Sequence, residues 1–274
     1  MIPVSVIVAT LNEEQRISAC LSALKGFGEI IVVDSGSLDK TAQMARQAGA
    51  LVVPFVWNKA YPKKRQWILD NVPTKFDWIF FVDADEIVTD DLKCEMKTLL
   101  EKGPDCAGYF VMGRYCSGRK ILMRGIPNRK IALLDKTKME FPLVDDLDIP
   151  GMGEIEGHYQ PILKNEGEKI GSLKSFLIHD ALDNEQAWGF RHEKYARWEA
   201  GMNGKRAWPL DPVPWREALK KYLRASKWRP EIMFLAAYIL KLGFLDGRAG
   251  KNLALAKMRY YRRISEIEGR LKNS

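Results

Sequence analysis

Three short, mainly apolar runs near the N-terminus each end in a polar cluster, and this constrains the chain more than any other feature. Val4 to Ala9 runs into Thr10-Leu-Asn-Glu13, Glu29-Ile-Ile-Val-Val into Asp34-Ser-Gly-Ser37, and Trp78-Ile-Phe-Phe-Val into Asp83-Ala-Asp-Glu86. Continuous apolar runs of this length are strands covered on both faces. Between them the period changes. Glu13 to Leu24 places Ile17, Leu21 and Leu24 at helical spacing, Thr41 to Ala48 reads as a second helix closing at Gly49, and Lys63 to Leu69 as a third. Leu51-Val-Val-Pro-Phe55 adds a short strand. Strands alternating with helices predict an α/β fold with a mainly parallel, Rossmann-like sheet flanked by helices. In such sheets ligands bind beyond the carboxyl ends of the strands, where the three polar clusters fall.

From Gly108 to Asp180 the pattern becomes mixed strands and Gly/Pro-rich loops. From Asn184 onward it is helical and basic, over Trp188 to Ala200, Pro214 to Lys227, Glu231 to Leu242 and Leu253 to Glu268. The expected division is 1–183 as an α/β domain (1–107 and 108–183 as its halves) and 184–274 as a helical, basic C-terminal extension. The net charge of +8 favours an anionic partner such as nucleotide phosphates or an acidic lipid surface. Nucleic acid is disfavoured, because the charge gathers late in the chain without a recognised motif. Four cysteines without a CxxC pair argue against zinc, redox pairs or a disulfide framework. The first residues read as a buried strand and not as a leader. The longest apolar stretch, from Ile232, falls short of the roughly 20 residues that span a bilayer.

Asp83 and Asp85 are two residues apart and can share a face, so their carboxylates need a compensating cation or hydrogen-bond donors. Hard oxygen ligands on a diphosphate suit Mg²⁺ or Mn²⁺. Glu86 and Thr89-Asp90-Asp91 read equally well as a helix start. Asp34-Ser35-Gly36-Ser37 is either a tight turn or a place where a carboxylate meets a nucleobase. Thr10, Asn12 and Glu13 fit either a helix start or a pocket wall.

In order and interval, these three motifs together with Asp39 and Thr41 resemble the family 2 glycosyltransferases, most of all the small bacterial enzymes of lipopolysaccharide core and surface polysaccharide assembly. The resemblance is strong over residues 4–90 and weaker to about residue 250. It implies a GT-A fold and an inverting, metal-dependent, non-processive transfer of one hexose. The donor would be a nucleotide-sugar such as a UDP-sugar, and the acceptor lipid-linked or a polysaccharide. By motif, Thr10, Asn12 and Glu13 line the nucleoside pocket, and Asp34, Ser35 and Gly36 meet the base. Asp83, Ala84 and Asp85 approach the ribose and metal, with Asp85 the metal ligand. In Lys63-Lys64-Arg65-Gln66-Trp67, Arg65 is the expected donor contact, and Lys63 and Lys64 could equally form a solvated basic face. Arg129 resembles a family strand cation facing phosphate or acceptor. The general base falls at Glu156, with Glu154 and Asp146 as alternates. His179 could complete the metal site, while His158 and His192 read as structural.

Arg191-His-Glu-Lys-Tyr-Ala-Arg-Trp198 superficially resembles a motif of processive synthases but lacks its glutamine. The apolar helix from Trp228 and the basic one after it fit a membrane interface, or ordinary packing. The expected location is the cytoplasm, on the cytoplasmic face of the inner membrane. The competing classes are a sugar-nucleotide nucleotidyltransferase and a non-catalytic protein of anionic membranes.

Overall fold

A computed structural model describes residues 1–118, 120–157, 159–180 and 185–272. The chain opens with β1 (Ile2–Thr10), α1 (Ile17–Ala23), β2 (Phe27–Asp34), α2 (Thr41–Gln47), β3 (Leu51–Pro54), α3 (Lys64–Asn71) and β4 (Trp78–Asp83). It continues through β5 (Glu86–Val88), α4 (Asp90–Lys102), β6 (Gly108–Ser117), β7 (Lys120–Ile121) and β8 (Asn128–Asp135), then β9 (Met139–Glu140), β10 (Ile162–Leu163) and β11 (Ile170–His179). The helices α5 (Glu185–Lys205), α6 (Pro214–Ala225), α7 (Arg229–Leu235) and α8 (Arg248–Lys272) complete it, with a π-helical stretch at Ala236–Leu240 and a short 3-10 turn at Gly243–Asp246.

Among the described residues the main sheet runs β3-β2-β1-β4-β8-β6-β11-β5, with β7 paired to β6. β3, β2, β1 and β4 are parallel, because each connection carries a helix that returns the chain to the same edge. β8 then pairs antiparallel with both β4 and β6. The sheet is thus parallel where the periods alternate and antiparallel where the sequence turns mixed. Val4, Val6 and Val8 face a core shared with Ile17, Leu21, Leu92 and Met96. Ile7 and Ile31, of opposite phase, are also fully buried. Both faces are covered, which is why these strands carry no polar alternation.

Two helix starts differ from the periodic expectation. α1 begins at Ile17 and not at Glu13, since the backbone amides of Asn12, Glu13 and Glu14 donate to the side chains of Ser37, Thr41 and Asp39. Glu86 opens β5, while Thr89 alone caps α4 by accepting from Leu92 N.

The chain divides into two compact units. The first is Met1–Arg114, Asn128–Phe141 and Gln160–Asp180, and the second is Tyr115–Pro127, Pro142–Tyr159 and Ala181–Ser274. The expected step near residue 184 lies beside the start of the second unit's long run, but two earlier segments join those helices. Trp198 explains the joining. Its ring is fully buried, packs against Tyr159 and Trp208, and sends its indole N–H to Asp146 at 2.8 Å. A Cβ on Gly157 would overlap that ring, so the 142–159 segment is fitted to it. Trp198 is therefore a core residue of the second unit. Beside it the buried Glu199 carboxylate takes Arg229 at 2.6 Å and the Tyr260 hydroxyl at 2.8 Å.

Candidate active site

The site grows from strand register. Thr10 lies opposite Asp34, and Ala9 opposite Asp83, so the ends of β1, β2 and β4 are level. The three polar clusters therefore share one sheet edge. Thr10 Oγ1 donates to Asp34 Oδ1 at 3.1 Å, and the amides of Gly36 and Ser37 reach Asp34 Oδ2 at 3.2 and 2.9 Å. Ser37 Oγ also donates to Asp34. A carboxylate offers about four acceptor positions, and these donors take them. Asp34 would meet a base only by exchanging one donor, so its first effect is to shape the turn. Gly36 has φ +81°, the left-handed geometry that this turn requires. Asn12, also at positive φ, ties the loops together: its Oδ1 accepts from Leu38 N at 2.8 Å.

Asp83-Ala84-Asp85-Glu86 links β4 to β5, and β5 pairs with the end of β11. That pairing sets Glu86 opposite His179, and His179 Nε2 lies 3.6 Å from Asp85 Oδ2. His179 Nδ1 lies 3.5 Å from Glu86 Oε1 and 3.3 Å from Asn128 Nδ2. The cation compensating the acids is one the sequence reading missed. Lys130 Nζ donates to Asp83 Oδ2 at 2.5 Å and lies 2.9 Å from both oxygens of Glu86. Arg65 adds a guanidinium 3.7 Å from Asp83 Oδ1. Burial alone would raise the Asp83 pKa, but Lys130 and Arg65 outweigh it and hold the carboxyl well below the usual range. Burial would likewise lower Lys130, and Asp83 and Glu86 reverse that. Cys20, whose thiol faces the Asp83 carbonyl, is pushed far up by burial and then by Glu86, Asp83 and Asp85.

Expectation and geometry part at several residues. Asp83 is engaged by two protein cations, while Asp85 and the buried Glu86 lie against opposite nitrogens of the His179 imidazole. Among the described residues no three His, Cys, Asp or Glu side chains form a ready-made metal cluster. Asp85 and His179 nevertheless fit a metal that completes its shell from phosphate and water: one hard oxygen and one imidazole suit Mn²⁺. Arg129 points elsewhere. Its guanidinium lies 5.0 Å from the Phe110 ring and donates to Ser172 Oγ, while its neighbour Lys130 takes the site-facing position. Lys63 and Lys64 are not a solvated face, since both are buried at the start of α3 near the Tyr61 and Phe55 rings. Ser35 N donates to Thr10 O, and Glu13 holds Arg16 at 3.3 Å.

The base candidates belong to the second unit. Glu156 is buried there, Glu154 is half-buried, and the buried Asp146 anchors Trp198. His158 lies outside the described residues, and the His192 ring packs on Tyr195 and Tyr260 as a structural histidine does.

Several known proteins are similar to parts of this chain. A lipopolysaccharide core biosynthesis glycosyltransferase, LpsC of Rhizobium meliloti (strain 1021), is 29% identical over 117 residues, covering 41% of this chain and 43% of that protein. An uncharacterized glycosyltransferase of Rickettsia bellii (strain RML369-C) is 36% identical over 95 residues, 34% of this chain and 31% of that one. The matches thus span less than half the length of these relatives. Among solved structures, glucosyl-3-phosphoglycerate synthase of Mycobacterium tuberculosis, crystallised with Mn²⁺, UDP and glucosyl-3-phosphoglycerate, is 27% identical with a TM-score of 0.33, covering 43% of this chain and 45% of that one. The same enzyme has been crystallised with Mg²⁺ and UDP. The sequence model described as Glycosyl transferase family 2 matches residues 5–149, more than half of the chain and all three strand-end motifs, and the chain belongs to that family.

Proposed function

We propose that this protein moves one hexose, with inversion, from a UDP-sugar to a lipid-linked or lipopolysaccharide acceptor, with Mn²⁺ or Mg²⁺ on the donor diphosphate. The observation that carries this reading is the level arrangement of Thr10, Asp34 and Asp83 at the carboxyl ends of β1, β2 and β4, with Asp85 turned toward His179. Asp85 and His179 would hold the metal, which neutralises charge on the leaving diphosphate. Thr10, Asn12 and Glu13 shape the nucleoside side of the pocket with Asp34, Ser35 and Gly36. Lys130 keeps Asp83 ionised and fixed, so that Asp83 can accept from the ribose without repelling Asp85. Arg65, beside Asp83, supplies positive charge to the diphosphate. Glu156, the residue matching the family's base by interval, takes the proton from the acceptor hydroxyl as it attacks in line. The lipopolysaccharide relative and the basic C-terminal helices support a lipid-borne acceptor met at the cytoplasmic face of an anionic inner membrane.

Two substitutions test the roles separately. Asp85→Asn should abolish Mn²⁺-dependent UDP binding in calorimetry and lower kcat/KM by about a hundredfold or more. Glu156→Gln should leave UDP binding intact and lower kcat by about 10²–10⁴. Full turnover and full metal dependence in Asp85→Asn would refute the site. A panel of nucleotide-sugars then identifies the donor.

A further inference from the structure

Helix α6 is built inside out. None of its 12 residues is buried, although Trp215, Leu219, Tyr222 and Leu223 lie in it. The side chains of Arg216, Glu217, Lys220 and Arg224 are the ones that turn toward the protein. Arg216 Nε lies 3.2 Å from Asp211, and Lys220 Nζ lies 2.6 Å from the same buried carboxylate. Glu217 accepts from Asp211 N at 2.8 Å, and the Arg224 guanidinium lies 3.9 Å from the centre of the Trp208 ring. Arg216, Lys220 and Arg224 are four residues apart and make one face. The opposite face, at spacings of four and three, is Trp215, Leu219 and Tyr222, which are 64%, 49% and 68% exposed. A helix resting on its own core shows the reverse order. A contiguous apolar stripe given to water marks a surface that something else covers.

The neighbouring chain says what covers it. Trp228 follows α6 exposed, and Leu235, Ile239, Leu240 and Leu245 are exposed after it. Lys221, Lys227, Lys241 and Arg248, also exposed, lie among them in sequence. Between residues 210 and 251 there are nine bases against four acids. Tryptophan and tyrosine interleaved with solvent-facing lysine and arginine match the interface of an anionic bilayer, where rings sit at headgroup depth and cations meet phosphate. No helix of the described residues is long and apolar enough to cross a membrane, so the fit is to lying in the surface.

We infer that α6 lies flat in the headgroup layer of an anionic membrane, with Trp215, Leu219 and Tyr222 inserted and Lys221 and Lys227 on lipid phosphates. This deepens the proposed reading of a lipid-borne acceptor, on which it rests, by naming the element that does the docking. The test is co-sedimentation of the full chain with phosphatidylcholine vesicles and with phosphatidylcholine–phosphatidylglycerol vesicles. It compares wild type with the triple variant Trp215→Ser, Leu219→Ser, Tyr222→Ser. Since Trp215, Leu219 and Tyr222 are exposed and the inward-facing charged residues of α6 are kept, the variant should keep its circular dichroism and its UDP affinity. Wild type should bind the anionic vesicles, and the variant should bind them about tenfold or more weakly. Equal binding by both overturns the assignment to α6 and leaves membrane docking by another surface standing. A wild type that ignores every vesicle, or instead self-associates through the stripe, overturns it as well. UDP binding, read separately, decides the glycosyltransfer reading whichever vesicle result is found.

Discussion

At the scale of single residues, the acids of Asp83-Ala84-Asp85-Glu86 have different jobs because Lys130 sits between two of them. Glu86 is fully buried, and that ammonium together with the Asp83 amide offsets the cost of burying its carboxylate. Lys130→Met should therefore destabilise the protein by about 3 kcal/mol, the low end for a broken buried pair because Asp83 remains partly open to solvent. Adding Glu86→Gln to the same chain should recover part of the loss in a urea titration. A single variant as stable as wild type would show that the pair contributes nothing. Lys130 was not legible in the sequence for a specific reason. In Arg129-Lys130-Ile131-Ala132-Leu133-Leu134 the strand is buried on both faces at its later end, so alternation does not reveal which cation faces inward. Pairing of Met112 with Arg129 and Val111 with Lys130 settles the phase, and that pairing is tertiary. The places of Asp34 and Asp83 at the ends of neighbouring strands were legible, because each ends an apolar run. Three of the four hydrogen bonds that occupy Asp34 come from Gly36 and Ser37 and belong to the tight turn readable in the sequence, whereas the fourth comes from Thr10 on β1, 24 residues away, and carries no local signature.

At the scale of elements, the strand–helix alternation of the first hundred residues was readable because burial on both faces leaves unbroken apolar runs. The Ile232 segment was less so. Its periodicity suggests one helix from Glu231 to Leu242, whereas α7 gives way at Ala236 to a π-helical stretch and Leu242 adopts φ +55°. Tight packing follows this turn. A Cβ on Gly250 would lie 1.9 Å from the Gly243 carbonyl oxygen, and one on Gly243 would lie 2.6 Å from the Ala237 carbonyl oxygen. Buried Asp246 then accepts from Arg124 N at 2.8 Å. Glycine at 243 and 250 is thus required by backbone proximity within this unit. Two glycine substitutions in α8 should have opposite signs. Gly269→Ala meets open space and should stabilise by up to about 1 kcal/mol through helix propensity. Gly250→Ala gains the same propensity but collides with rigid backbone, and should lose about 2 kcal/mol or more net. Equal effects of the two in thermal denaturation would remove the packing argument.

At the scale of the whole molecule, ion pairs link the helices of the second unit, and this gives it a pH dependence. Glu193 on α5 receives Arg263 of α8 through Nε at 2.8 Å and Nη2 at 2.9 Å, and Arg197 of its own helix at 3.0 Å. The hydrogen bonds from Arg263, against some desolvation, and then those from Arg197 bring its pKa down to about 2. In the unfolded chain a glutamate titrates near about 4.3. A carboxyl depressed on folding contributes stability that is whole above the unfolded value and disappears as pH falls through the folded one. The α5–α8 contact should therefore weaken between about pH 4.3 and 2. Nothing at residue 193 suggests this in sequence, since its partner lies 70 residues later and the link exists only once α5 and α8 pack. The expected division at residue 184 missed the same thing, because segments 142–159 and 181–274 meet around Trp198 and not along the chain. Glu193→Gln keeps the shape of the side chain and removes the titration. It should lower the Tm at pH 6 and flatten its fall between pH 5 and 3, so that the two proteins converge in acid. Parallel curves for wild type and variant across that range would place the acid sensitivity in other carboxylates, and Asp211, held below its usual pKa by Lys220 and Arg216 against desolvation, is the next to remove.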